Sequence, residues 1–162
     1  MALTPDDLRF LSRAVDLAEE ALHAGDEPFG TLLVSPDGEV VFEDRNRVSG
    51  GDQTQHPEFA VARWAGEHLP QQTRAAHTVY TSGEHCPMCA AAHGWVGLGR
   101  IVYASSAEQF GQWLAEQGHD AGPVAPLPIG QVVPGATVDG PCPELTERIR
   151  DLHRRRFADV QR

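Results

Sequence analysis

A chain of 162 residues, 41% of them hydrophobic, with no Ser/Gly linker, like-charge block or fixed-period repeat, is expected to fold as a single domain over residues 1–162. Its formal net charge of -10 disfavours nucleic acid as a partner, because such binding draws most of its affinity from Lys and Arg neutralising phosphates. Residues 1–10 carry neither a basic n-region nor an apolar h-region, and no stretch approaches the roughly 18 apolar residues of a membrane span, so a soluble, cytoplasmic protein is expected.

Thr4, Pro5, Asp6 and Asp7 supply a cap, a proline at the first helical position and first-turn acids. Leu8, Leu11, Val15, Ala18 and Leu22 then repeat at helical spacing until Gly25. Apolar runs at 29–34 and 40–42, separated by Ser35-Pro36-Asp37-Gly38, predict a β-hairpin. Polar residues 44–55 predict a loop, and Pro57 opens a helix to about Leu69, placing His56 at its mouth. A short strand at 78–81 leads through Ser82-Gly83-Glu84-His85-Cys86 into an Ala-rich helix from Cys89 to Trp95. A strand at 101–104, a helix at 107–117 and a Pro/Gly-rich loop at 119–136 follow. Leu145, Ile149, Leu152 and Phe157 mark an amphipathic last helix, and Arg148, Arg150, Arg154, Arg155 and Arg156 read as its solvated face. This order is that of a layered α/β fold, where sites gather at helix N-termini.

Three cysteines, two of them only three positions apart, fit a reducing compartment as thiols or metal ligands rather than a disulfide framework; Cys142 is left over. The informative fragments are His56-Pro57-Glu58 and Cys86-Pro87-Met88-Cys89. Alone, a His is more often a packed or exposed side chain, and a Cys-x-x-Cys can be a redox pair. Together, at two predicted helix mouths, one imidazole and two thiolates give the ligand count of a catalytic zinc with a free position for water. Zinc lowers the pKa of bound water towards neutrality. A carboxyl that does not ligate must then carry the proton to the leaving amine, and Glu58, two residues after His56, is the candidate; otherwise it only complements the helix dipole. Gly94 to Gly99 has the wrong glycine spacing for a dinucleotide fingerprint.

With these residues the sequence resembles the cytidine deaminase-like zinc deaminases, whose signature is H-x-E and P-C-x-x-C. From about Phe10 to about Phe110, Pro28-Phe29-Gly30, Asn46, His56-Pro57-Glu58 and Thr81 to Cys89 look closest to bacterial guanine deaminases and related purine-acting members. The resemblance implies a three-layer α/β/α sandwich on a mixed five-stranded sheet, one zinc per subunit and a homodimer. It implies that His56, Cys86 and Cys89 hold Zn2+ and Glu58 moves the proton. Asn46 would hold the base, Phe29 line the pocket and Trp95 pack on the purine; the alternatives are a turn asparagine and core aromatics. His85 stands where the family usually has proline. Glu108 is only a near neighbour of the acid that guanine-acting relatives carry, and a first-turn helix acid is its other reading.

The expected activity is zinc-dependent hydrolytic deamination of a free nucleobase or nucleoside, with a purine such as guanine, guanosine or adenosine favoured. The alternatives are a tRNA adenosine deaminase and a non-catalytic zinc or thiol-redox module. Phe110, Trp113 and the segment from Asp139 onward are candidates for a lid, or plain core packing.

Overall fold

The computed structural model describes residues 2–160. The first helix, α1 (Pro5–His23), opens on a capping box: Asp7 N–H donates to Thr4 Oγ1 at 3.1 Å and Thr4 N–H donates to Asp7 Oδ2 at 2.9 Å. The hairpin follows as β1 (Gly30–Val34) and β2 (Val40–Arg45), with Gly38 at φ 82° closing the turn. β2 runs three residues past the expected Phe42, because its Glu43, Asp44 and Arg45 still pair with Leu32, Thr31 and Gly30. A 3-10 turn at Val48–Gly50 occupies part of the polar loop.

Helices α2 (Pro57–His68) and α3 (Gln71–Arg74) lead to β3 (Thr78–Gly83), then α4 (Pro87–Val96), β4 (Ile101–Ser105) and α5 (Ala107–Glu116). α4 starts at Pro87, two residues sooner than the Ala-rich run suggests, because a proline at the first helical position lacks only an N–H that would have no helical partner. The Pro/Gly-rich stretch contains a single turn of helix, α6 (Ile129–Val132), pinned by the buried Ile129. A two-residue strand, β5 (Val138–Asp139), and α7 (Pro143–Val160) complete the chain. Such a short strand has no periodicity from which a sequence reading could find it.

The sheet is mixed and five-stranded, in the order β2-β1-β3-β4-β5. β1 is antiparallel to both β2 and β3, while β3, β4 and β5 run parallel. Alternation along the strands feeds two cores. Leu32, Tyr80, Val102 and Ala104 meet α1 and α7 through Leu11, Val15, Ile149 and Leu152. Leu33, Val79 and Ile101 meet α2 and α4 through Val61, Ala62, Ala65 and Ala90. The result is the three-layer α/β/α sandwich expected from the resemblance. Helix α1 lies so close to β1 that a Cβ on Gly30 would come within 2.4 Å of Ala14 O.

The basic run on α7 is neutralised at its own surface: Arg148 pairs with Asp16 and Glu19, Arg150 with Glu116, and Arg154 with Asp151. It is a solvated, ion-paired face rather than a free cationic patch. No described helix is long and apolar enough to cross a membrane.

Candidate metal centre

Two helix mouths built alike create the centre. His56 is the N-cap residue of α2 and Cys86 that of α4; both have extended backbones, and each is followed by a proline. Extended cap residues turn their side chains off the helix axis, and here both turn towards the same point. Cys89, one turn into α4, is buried there too.

The three ligand atoms form a nearly equilateral triangle. His56 Nδ1 lies 3.6 Å from Cys86 Sγ and 3.6 Å from Cys89 Sγ, and the two sulfurs are 3.6 Å apart. Tetrahedral zinc, with Zn–S near 2.3 Å and Zn–N near 2.0–2.1 Å, sets its ligand atoms about 3.5–3.8 Å apart. The donor set therefore fits zinc in both chemistry and spacing. Among the described residues this is the one group of three or more His, Cys, Asp or Glu side chains able to hold a metal. His85, next to Cys86, is not part of it.

Hydrogen bonding with Cys89, followed by His56, holds the Cys86 thiol down to about 4, against burial. The same bond to Cys86, reinforced by burial and Glu58, pushes the Cys89 thiol far up. Its bond to Cys86 raises His56 to about 9, although burial opposes this. His56 and the Cys89 thiol thus hold protons at the triangle, which a divalent ion would displace.

Glu58 sits in the first turn of α2 and is 5% exposed. Its Oε2 accepts from Cys89 Sγ at 3.8 Å and its Oε1 from the Thr81 hydroxyl at 3.2 Å. Burial pushes its carboxyl up to about 7, while His56 acts in the opposite direction. A carboxyl poised near neutrality can both take and return a proton at its Oε atoms. Thr81 also accepts from Thr31 Oγ1 at 2.9 Å, and Gly83 O, 2.9 Å from its hydroxyl, is the competing acceptor for its one proton. In the sequence Thr81 stands only as part of the Thr81 to Cys89 motif. Its side-chain role depends on β3 lying beside the mouth of α2, which spacing does not reveal.

The remaining expected site residues fall into two groups. Asn46 is fully buried; its N–H donates to Phe29 O at 3.0 Å and its Oδ1 accepts from Val48 N–H at 3.1 Å. Its Nδ2 is buried without a hydrogen-bond partner. Phe29 packs against Phe110 and against His153 of α7, and its ring lies where a Cβ on Gly83 would meet it at 2.9 Å. The aromatics proposed for a lid are thus packed: Phe110 against Phe29 and His153, and Trp113 in the core. Both Asn46 and Phe29 lie on the segments flanking the β1–β2 hairpin.

The other two, Trp95 and Glu108, are exposed. Trp95 is 90% exposed on α4, whose Cys89, Ala90 and His93 are buried. Helical spacing fixes this, since six residues past Cys89 is more than a turn and a half and points to another face. Glu108 is exposed in the first turn of α5 and lines a cleft of about 670 Å³ with Glu84, Tyr103 and Pro126, not with the triangle. His85 is 1% exposed, its ring edge-on to His93 at 5.5 Å, and its Nδ1 has no partner.

The family model of the cytidine and deoxycytidylate deaminase zinc-binding region matches residues 4–105. The Schizosaccharomyces pombe protein named "Probable cytosine deaminase" is 37% identical over 109 residues, 65% of this chain and 64% of that protein. The guanine deaminase of Bacillus subtilis is 39% identical over 98 residues, 59% of this chain and 62% of the other. The chain thus spans less than two thirds of the length of either relative. Among solved structures, a guanine deaminase from Nitrosomonas europaea superposes with a TM-score of 0.73 over 98% of this chain and 87% of that one, at 22% identity, which shows a shared fold. With both ligand fragments inside the matched stretch, the chain belongs to the cytidine and deoxycytidylate deaminase zinc-binding family.

Proposed function

We propose that the protein is a zinc-dependent aminohydrolase that releases ammonia from a free nucleobase or nucleoside, with a purine such as guanine, guanosine or adenosine favoured. The observation that carries this is the 3.6 Å triangle of His56, Cys86 and Cys89 with the buried Glu58 carboxyl beside it. Zinc held by His56, Cys86 and Cys89 would supply a Lewis acid that activates water. The chain's own residues do the rest. Glu58 takes the proton released by the water and returns it to the departing amino group, held in place by the Thr81 hydroxyl on Oε1.

Asn46 supports a substrate with hydrogen-bonding ring atoms. A buried amide donor without a partner costs about 1–3 kcal/mol, and a base offering an acceptor would relieve that cost. The Asp26 carboxylate keeps this loop in place, accepting from Arg45 Nη1 and from Ser49 N–H, each at 2.8 Å. Phe29 would give the ring an apolar wall. Glu108, exposed on α5, would reach only a substrate that extends beyond the base. The preference for a purine rests on the motif likeness and on the similarity to a guanine deaminase. Net charge and the ion-paired α7 weigh against a tRNA substrate. We also expect a homodimer, in which Trp95 would be covered by the second copy, and a cytoplasmic location.

An ammonia-release screen of the zinc-loaded protein against guanine, adenine, cytosine, their nucleosides and a tRNA stem-loop tests the proposal. Release from guanine, guanosine or adenosine is the expected result. Release from cytosine or tRNA alone would overturn the purine preference, and none from any of them would overturn the activity.

A further inference from the structure

The turn that delivers Cys86 is held by a side chain that touches neither the metal triangle nor Glu58. Glu84, two residues before Cys86, accepts Ala107 N–H on Oε2 at 2.8 Å and Ile129 N–H on Oε1 at 2.9 Å. These donors are the first residues of α5 and α6. Glu84 N–H in turn donates to Ser105 O at 2.8 Å, at the end of β4. One carboxylate therefore fastens both ends of the segment 107–129 to the cysteine turn. That segment includes the exposed Pro/Gly-rich stretch 119–128, which has no strand or helix of its own. Hydrogen bonds from backbone N–H to an ionised carboxylate are about twice as strong as neutral ones, and a negative charge suits the start of α5.

Residues 84–86 belong to no strand or helix, so the strand alone does not fix where Cys86 Sγ sits. We infer that Glu84 is a positioning residue for the metal centre: by clamping the 84–86 turn to α5 and α6 it holds Cys86 Sγ within reach of His56 and Cys89. The inference rests on the reading of that triangle as a zinc site. A metal ligand whose supporting contacts are removed typically loses 10–100-fold in metal affinity or activity.

Two substitutions separate positioning from bulk stability. Glu84→Gln keeps the volume and one carbonyl acceptor but sets an NH2 group against the other backbone N–H. Ala107→Pro removes the single donor to Oε2 at a helical position where proline is well tolerated, after Ser106, whose ψ of 160° already suits a following proline. Zinc release from the folded holoprotein into a chromogenic chelator is followed by stopped flow, alongside thermal midpoints and steady-state kinetics. The expected result is zinc release about tenfold faster or more in both variants, with kcat lowered by a similar factor and KM within about threefold of the parent. If Glu84→Gln fails to fold, Ala107→Pro alone decides. Parental zinc release and kcat in the folded variants, even with a lowered thermal midpoint, would overturn the inference. Zinc release is read without any substrate, so failure to find a deaminated base would leave the Glu84 inference standing.

Discussion

The Thr81 hydroxyl donates to Glu58 Oε1 at 3.2 Å, joining the middle strand of the sheet to the first turn of α2 across the base of the metal centre. Replacing Thr81 with valine keeps the branched shape and removes this bond. The hydrogen bond to a charged partner is worth about 1.5–3 kcal/mol, so kcat should fall about tenfold or more while zinc content stays stoichiometric. Steady-state kinetics with metal analysis check this, and an unchanged kcat would show that Glu58 does not depend on Thr81.

Glu58→Ala should retain zinc and fold yet lose ammonia release by several orders of magnitude, because the proton then has no carrier to the leaving amine. Circular dichroism and metal analysis establish the fold and the loaded site. An active Glu58→Ala protein would refute the assigned role.

Gly30→Ala should destabilise the fold by about 3 kcal/mol or more, since overpacking at a rigid contact cannot relax. The new Cβ would stand 2.4 Å from both Ala14 O and Leu17 Cβ, so α1 would have to lift off β1. Urea unfolding measures the change; a shift below about 1 kcal/mol would mean that α1 is free to move.

Asp7 ties α1 to the sheet through Tyr80 Oη at 2.7 Å and Arg100 at 2.7 and 3.2 Å. Burial alone would raise its carboxyl, but the bonds from Arg100, the Thr4 backbone, Tyr80 and the Thr4 hydroxyl overcome this and hold it well below the usual carboxylate range. A group depressed in the folded state stabilises above its unfolded pKa of about 4, and that stability is lost as pH falls through the lower folded value. The parent protein should therefore lose about 2–3 kcal/mol more than Asp7→Asn between pH 5 and the acid limit, while Asp7→Asn starts less stable at pH 7. Thermal midpoints across that range decide it, and parallel acid profiles would contradict the assignment.

Much of this protein was legible in one dimension because its signals are local. The capping box of α1, the Ser35–Gly38 turn and the prolines after His56 and Cys86 act over a few residues, so they mark the same boundaries in a sequence as in a fold. The grouping of His56, Cys86 and Cys89 was legible too, since thiol and imidazole chemistry at helix mouths admits few purposes. What the sequence left undecided depends on partners far along the chain. That Glu58 meets Thr81, that Glu84 bridges Ala107 and Ile129, and that two residues at 138–139 add a fifth strand are contacts over 23 to 45 positions or pairings set by a neighbouring strand. The outward face of Trp95 and the separation of Glu108 from the triangle belong to the same class. Residue type and spacing determine which chemistry is available, but only the packing of two helix layers on a sheet determines which side chains converge, because convergence is a property of distance in space.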